Sequence, residues 1–85
     1  MSKVFQTAVR SNVRREKRYA AIDRLAGEGD RTSLEVLVRT GGLHGEFRRY
    51  ALDALGDCNA SDALADLAGE TALEPSLRRR ADELE

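Results

Sequence analysis

The residues best able to do chemistry in this chain are one thiol and one imidazole. Cys58 lies in the segment DCNAS and His44 lies in GGLHGEF, and both segments have the composition of loops. A thiolate beside an imidazole base makes a nucleophilic pair, but the sequence offers neither residue a second partner for such a site. We therefore interpret both as loop residues. A reactive thiol at Cys58 and a base at His44 are the alternatives.

Other signatures of catalysis are missing from the sequence. It contains no glycine-rich phosphate loop with its lysine, no G-x-S-x-G and no H-E-x-x-H motif. One cysteine and one histidine are too few for a zinc site made of protein ligands, and one cysteine cannot form an internal disulfide. We predict a protein that is not an enzyme and that needs no metal or cofactor.

The size and composition of the chain indicate one small domain, residues 1–85. It has 85 residues, of which 41% are hydrophobic and 34% charged. No apolar run approaches the roughly 20 residues of a membrane span, and the segment MSKVFQTAVR lacks the apolar stretch of a secretory signal. We expect a cytoplasmic protein that has no membrane partner.

Charge is distributed unevenly along the chain, although the net charge is only −1. Residues 1–49 hold eleven Lys or Arg against six Asp or Glu, a balance of +5, and residues 50–85 hold three against nine, a balance of −6. Opposite charges at two ends of a molecule favour a salt-sensitive homodimer, while the alternative is that both clusters are solvated helix faces. The clusters are Arg14, Arg15, Lys17 and Arg18, and Asp62, Asp66, Glu70 and Glu74.

The sequence repeats itself at a spacing of thirty residues. Nearly three periods fit in the chain, and the matched positions are mostly apolar or arginine. We divide the domain into units of approximately 2–31, 32–61 and 62–85. The matched sets include Arg18, Arg48 and Arg78; Ala21, Ala51 and Ala81; Ile22 and Leu52; Leu25 and Leu55; Leu34 and Leu64; Leu37 and Leu67; and Leu43 and Leu73.

Each unit is predicted to contain two helices. Gly27 and Gly56 are predicted to close helices in the left-handed conformation, Thr32 and Glu35 form a capping-box pattern, and Pro75 suits a first helical turn. Apolar residues at three-to-four spacing give each helix a face to bury, and no strand-like alternation is present. The predicted helices span 2–11, 13–26, 32–40, 45–56, 61–68 and 75–84.

Short helix pairs cannot bury their apolar faces alone, so the units are expected to stack into an all-α solenoid. The segments EFRRYALDALGD, PSLRRRADELE and RREKRYAAIDRLAG resemble HEAT-like repeats of the short type found in phycobilisome-lyase-like proteins. Lys17 departs from the pattern where Phe47 and Leu77 stand. The pattern residues are Phe47, Arg48, Ala51, Leu55, Gly56, Asp57, Leu64 and Leu67.

This resemblance implies a short right-handed α-solenoid with a concave helix face. It also implies that Arg48 and Arg78 reach carboxylates of a neighbouring unit, with Asp57 and Asp23 as the candidates, in structural ion pairs. Lyase activity does not follow from the resemblance, because a fold does not carry its function with it.

An apolar stripe that the repeat does not require is the candidate partner-binding groove. Phe5 and Val9 lie on one flank of the first helix, and Val36 and Arg39 lie on a neighbouring helix. The resemblance would place such a groove on the concave face. The alternative is that Phe5 and Val9 fold over an open end of the core.

Two function classes follow from these observations. We favour a protein–protein interaction module. A role as a subunit beside a catalytic partner ranks last of three. The alternative class, ranked second, is a nucleic-acid-binding accessory protein, whose binding would resemble the way in which HEAT-like alkylpurine DNA glycosylases cradle a duplex. The acidic second half and the isoelectric point near 5.8 argue against that class. Its candidate phosphate contacts are Arg10, Arg14, Arg15, Arg18, Arg48 and Arg49.

Overall fold

A computed structural model describes residues 3–85 and contains six α-helices, with no strand in that part of the chain. The helices confirm the predicted all-α class, and every described boundary lies within two residues of its prediction. The predicted start at residue 2 lies outside the described residues. The helices are α1 (Lys3–Val9), α2 (Arg15–Gly27), α3 (Arg31–Arg39), α4 (Gly45–Asp57), α5 (Ser61–Ala68) and α6 (Pro75–Leu84).

The helices pack as three consecutive pairs. The pairs are α1 with α2, α3 with α4, and α5 with α6. The even-numbered helices also pack on one another in series, α2 on α4 and α4 on α6, whereas contacts among the described parts of the odd-numbered helices are marginal at most. Helix α4 is therefore covered on two sides. None of the helices between residues 3 and 85 is long and apolar enough to cross a membrane.

One apolar core runs through all three pairs. The apolar residues at helical spacing in the sequence are buried as predicted, because each helix turns its one apolar face toward its neighbours. The fully covered side chains include Ile22, Leu25, Leu34, Leu37, Val38, Phe47, Leu52, Leu55, Leu64 and Leu67.

The thirty-residue period is also visible in the backbone that leads into each even-numbered helix. The residue before α2, α4 and α6 has the same extended conformation each time, with ψ of 148°, 142° and 142° at Arg14, His44 and Glu74. The apolar residue just before it donates its N–H to the carbonyl three residues earlier. Those donors are Val13, Leu43 and Leu73, and the acceptors are Arg10, Thr40 and Glu70.

The left-handed residues that close α2 and α4 are not the predicted ones. Gly27 and Gly56 lie inside their helices, and the left-handed residues are Gly29, with φ of 69°, and Asn59, with φ of 55°. The left-handed residue comes two residues later than predicted in the first turn and three residues later in the second. At each of these positions the chain reverses with hydrogen bonds back to the last helical turn. Those bonds run from the N–H of Asp30 to the carbonyl of Leu25 and from Ala60 to Leu55.

The predicted capping box at the start of α3 is also wrong. Asp30 is the N-cap, and its carboxylate accepts hydrogen bonds from the N–H and the hydroxyl of Ser33 at 3.2 and 2.8 Å. The helix begins one residue earlier than predicted, so Thr32 lies within its first turn. Glu35 instead pairs with Arg39 one turn later, at 3.1 Å. Aspartate is at least as favourable as threonine at an N-cap, so the shift of the helix start by one residue costs little free energy.

Two nearby glycines should respond to alanine with opposite signs. Gly29→Ala places a Cβ on a left-handed residue and should lower the free energy of unfolding by about 1 kcal/mol. Gly27→Ala lies in the helix with open space around it and should raise that energy by about 0.5 kcal/mol. Gly29→Asn, which copies Asn59, is the control and should cost much less than alanine. Urea denaturation measures all three, and equal effects at the two glycines would contradict the prediction.

Candidate interaction surface

Two arginines that the sequence singled out are buried in the fold. Arg18 and Arg48 are 5% and 4% exposed, and each donates its Nε–H to the carbonyl ten residues before it. The acceptors are Ala8, at 3.0 Å, and Val38, at 2.8 Å. A cation at the carbonyl end of a helix satisfies an acceptor that the helix leaves free. Both side chains thus tie an even-numbered helix to the odd-numbered helix before it.

The outer part of each buried guanidinium meets the next unit. Arg18 lies over the ring of Phe47, with its Cζ 3.9 Å from the ring centroid. Arg48 pairs with Glu74 at 2.6 Å. The resemblance implied such a contact for Arg48, but with Asp57 or Asp23, and neither is its partner.

The third arginine of the series differs from the other two. Arg78 is half-buried, and its Nε is covered yet has no hydrogen-bond partner among the described residues. The carboxylate contact expected at both arginines is therefore present at Arg48 and missing at Arg78 within residues 3–85, and two further contacts between units run through Tyr50 and Arg80. Tyr50 donates its hydroxyl to Asp23 at 2.6 Å, and Arg80 donates to Asp53 at 2.9 Å. The two pairs are related by the same thirty-residue shift, so the period of the sequence could have indicated that both join neighbouring units.

Aromatic side chains form a cluster across α2 and α4. The rings of Tyr19 and Tyr50 meet edge to face at 4.6 Å, and Tyr19 also contacts Phe47 at 5.1 Å. Edge-to-face pairs of this kind add about 0.5–1.5 kcal/mol beyond their buried area. Both tyrosines are half-buried, so one side of the pair faces solvent.

Hydrogen bonds to carboxylates hold this cluster in place. Glu46 accepts from the hydroxyl of Tyr19 and from Arg15, both at 2.7 Å. The hydrogen bond from Arg15 lowers the pKa of Glu46, while the hydrogen bond to that carboxylate raises the pKa of Tyr19. The bond to Asp23 raises the pKa of Tyr50 in the same way. The cluster is a preorganised patch on the exposed side of the even-numbered helices.

The four residues of the expected groove lie on the odd-numbered helices α1 and α3. Phe5 and Val9 are half-buried and pack against the core, and Val36 is half-buried. Arg39 pairs with Glu35 and, at 2.7 Å, with Glu70. Arg39 lines a cleft with Arg48, Glu70 and Leu73, and that cleft includes none of the other three groove residues.

The candidate phosphate contacts are dispersed over different environments. Arg18 and Arg48 are buried, and Arg15 is paired with Glu46. The other three, Arg10, Arg14 and Arg49, are exposed and make no side-chain hydrogen bond or ion pair in the described structure.

The thiol and the imidazole lie at helix ends. Cys58 is half-buried at the end of α4, and its Sγ contacts the carbonyl of Ala26 at 3.5 Å. The interpretation of Cys58 as a loop residue is therefore only partly right, because its side chain is half-buried against the preceding unit. His44 is exposed just before α4. Between residues 3 and 85, no group of three or more Cys, His, Asp or Glu residues is placed to hold a metal ion.

The two charged clusters are partly used inside the fold. Arg15 pairs with Glu46, Arg18 is buried, and Glu70 and Glu74 pair with arginines of the preceding unit. The remaining acidic residues line a cleft of about 340 Å³ between α3 and α5. The exposed residues of the clusters that make no side-chain ion pair in the described part of the chain are Arg14, Lys17, Asp62 and Asp66.

Comparisons with known proteins add no relative. The chain matches no protein-family model, no curated protein and no solved structure.

Acid should destabilise the fold through Glu46 and Glu70. Hydrogen bonds from Arg15 and Arg39 lower the pKa of these carboxyls below the ordinary value of 4.5, so each stabilises the folded state above that pH. This contribution is lost as the pH falls through the lowered pKa. Glu46→Gln should therefore show a smaller drop in Tm between about pH 7 and pH 3 than the original protein. Glu16→Gln, at an exposed carboxylate that makes no ion pair with another described residue, is the control. Equal drops in all three proteins would contradict this assignment.

Self-association through the charged ends stays a prediction, and it now depends on the four residues without ion pairs. If those ends attract, light scattering should give a dimer mass at low salt and a monomer mass at about 0.5 M salt, where the screening length is only a few ångströms. Lys17→Glu should abolish the dimer. A monomer at both salt concentrations would contradict the prediction.

Proposed function

We propose that the chain is a non-enzymatic interaction module that binds a partner protein through a concave helix face. In this proposal the three helix pairs form a short right-handed α-solenoid of HEAT-like repeats. The packing supports a curved stack, because α2, α4 and α6 contact one another in series while the odd-numbered helices scarcely do. Helices that are closer together form the inner side of a curved stack. The concave face is therefore the exposed side of the even-numbered helices.

One observation carries this proposal: an aromatic pair and two unpartnered arginines share that face. Tyr19 and Tyr50 present a half-buried edge-to-face pair. Arg49 and Arg79 are exposed, make no side-chain hydrogen bond or ion pair in the described structure, and occupy the positions thirty and sixty residues after Tyr19. Tyrosine and arginine are enriched among residues that dominate binding energy at protein interfaces.

The surroundings of these residues favour binding over a purely structural role. Unlike Arg49 and Arg79, two neighbouring arginines of α4 and α6 pair with carboxylates of this chain. They are Arg48 and Arg80. The hydrogen bonds from Tyr50 to Asp23 and from Arg80 to Asp53 fix the neighbouring helices to each other. A rigid surface loses little conformational entropy when a partner binds, which raises affinity.

This proposal places the binding face on different helices from the groove expected from the sequence. Phe5, Val9, Val36 and Arg39 belong to α1 and α3, which are the outer row of the proposed stack. Phe5 and Val9 pack against the core, as the alternative interpretation of them has it.

A charge-reversal experiment tests the face. Arg49→Glu with Arg79→Glu should weaken capture of the partner by about tenfold or more, measured by quantitative mass spectrometry of proteins bound to the immobilised chain. Lys3→Glu with Arg10→Glu makes the same charge change on exposed, unpartnered residues of the first unit and should leave capture unchanged. Loss of capture by the second pair alone would overturn the concave-face assignment.

The alternative function, nucleic-acid binding, is separated by a gel shift with random duplex and single-stranded DNA. Arg10, Arg14 and Arg49 are the candidate contacts that remain free. Binding with a steep dependence on salt, lost in Arg10→Gln with Arg14→Gln, would favour this class. Absence of binding at about 50 mM salt would remove it.

A further inference from the structure

The first helix pair exposes a cleft of about 290 Å³ between α1 and α2. Its floor consists of small or apolar side chains, and its rim carries two cations. Val4 is half-buried and Ala20 is exposed, so the floor is open to solvent, while Ala21 is almost covered. The lining residues are Val4, Thr7, Lys17, Ala20, Ala21 and Arg24.

The repeat shows what covers an equivalent cleft. Thirty residues later, the positions of Lys17 and Ala20 are held by Phe47 and Tyr50. In α4 this face is covered by helix α2, since Phe47 and Tyr50 both pack against Tyr19. The same face of α6 is covered by α4, where Leu84 contacts Gly56 and Arg80 pairs with Asp53. The equivalent faces of α4 and α6 are therefore each covered by a helix of the preceding unit.

Charge at the open cleft differs from that at the two covered faces. Lys17 stands where Phe47 and Leu77 are buried, and Arg24 stands where Ala54 is 7% exposed. Arg24 pairs with Glu28 at 3.3 Å and Arg15 with Glu46, whereas four other basic residues of this end make no side-chain hydrogen bond or ion pair within residues 3–85. Those exposed, unpartnered cations are Lys3, Arg10, Arg14 and Lys17.

We propose that this cleft binds an amphipathic helix of a partner protein, whose apolar stripe lies on Val4, Ala20 and Ala21 and whose flanking carboxylates pair with Lys17 and Arg14. The apolar floor favours a helix over a nucleic acid, because a phosphate backbone gains nothing from burying alanine. The small side chains at 20 and 21 let another helix approach closely, as Ala51 and Ala81 do at their fully covered positions. This surface lies apart from the concave face and does not depend on it.

A second copy of the chain fits the cleft poorly when its third pair stacks on the first pair in the register of the repeat. The residues that cover Phe47 are Arg18 and Tyr19. Their counterparts on the third pair are Arg78 and Arg79, so a second copy stacked in the repeat's register would bring both arginines onto Lys17. Like charges in contact oppose association. The occupant is accordingly a different protein, and it carries acidic residues where α2 carries Arg18.

Titration with designed peptides tests the proposal on the intact chain. The probe is an 18-residue helix with leucine at three-to-four spacing and glutamate on both flanks, and the comparison peptides replace the glutamates with glutamine or the leucines with serine. We expect the first peptide to bind and to shift the backbone amide signals of Val4, Thr7, Ala20 and Ala21 in two-dimensional NMR. Both comparison peptides should bind at least about tenfold more weakly, a difference of roughly 1.4 kcal/mol.

Variants locate the site independently of peptide design. Ala20→Glu places bulk and negative charge in the cleft and should weaken binding about tenfold or more, and Lys17→Gln should weaken it less and reduce its salt dependence. Ala65→Glu makes the same change at an exposed alanine of α5 and is the matched control. Both alanines are exposed, so neither change disturbs the core.

Three results would overturn the proposal. They are no binding of the acidic amphipathic peptide at about 1 mM and low salt, equal binding by Ala20→Glu and Ala65→Glu, and tighter binding of a single-stranded oligonucleotide than of the peptide through the same residues. The concave-face variant Arg49→Glu with Arg79→Glu should bind the peptide normally, so failure of this site and failure of the proposed function are distinguishable.

Discussion

The tie between each buried arginine and the carbonyl of the preceding helix is the interaction on which the stack depends. A guanidinium removed from water is costly unless its donors are satisfied. Arg48 meets this demand with the carbonyl of Val38 and the carboxylate of Glu74, so one side chain joins both helices of its own pair to the next pair. Arg18 uses the carbonyl of Ala8 and the ring of Phe47. At Arg78, where the described chain supplies no such partners, the side chain is only half-buried.

The sequence was sufficient for the helices and the core because both follow from a strong period. Residues such as Ile22 and Leu55 recur at helical spacing and at thirty-residue intervals, and no competing pattern exists for them. Helix ends were harder. Gly27, Gly29 and Asp30 lie within four residues and all suit a helix end, so a shift of one or two residues decides which residue is left-handed and which is the cap.

Contacts between units were the least predictable part of the candidate surface. The period relates Arg48 to Arg18 and Arg78, but the carboxylate that each reaches depends on how neighbouring helices are rotated, and the sequence does not give that rotation. Glu74 and Asp23 were equally acceptable partners on charge alone. The period also treats both helices of a pair alike, so it could not show that the even-numbered row packs in series. The expected groove was therefore placed on residues of the other row.

The positions of the unpartnered cations connect the fold to its surfaces. Four arginines pair with a carboxylate of a neighbouring unit, because packing brings acceptors within reach; they are Arg15, Arg39, Arg48 and Arg80. Among the described residues, the exposed arginines and lysines that make no side-chain hydrogen bond or ion pair lie either on the exposed side of the even-numbered row, at Arg49 and Arg79, or around the first pair. A cation that remains in water adds almost nothing to stability. In the two binding faces that we propose, such cations beside the tyrosine pair and the alanine-lined cleft are available to pair with a partner's carboxylates, because the core closes without them.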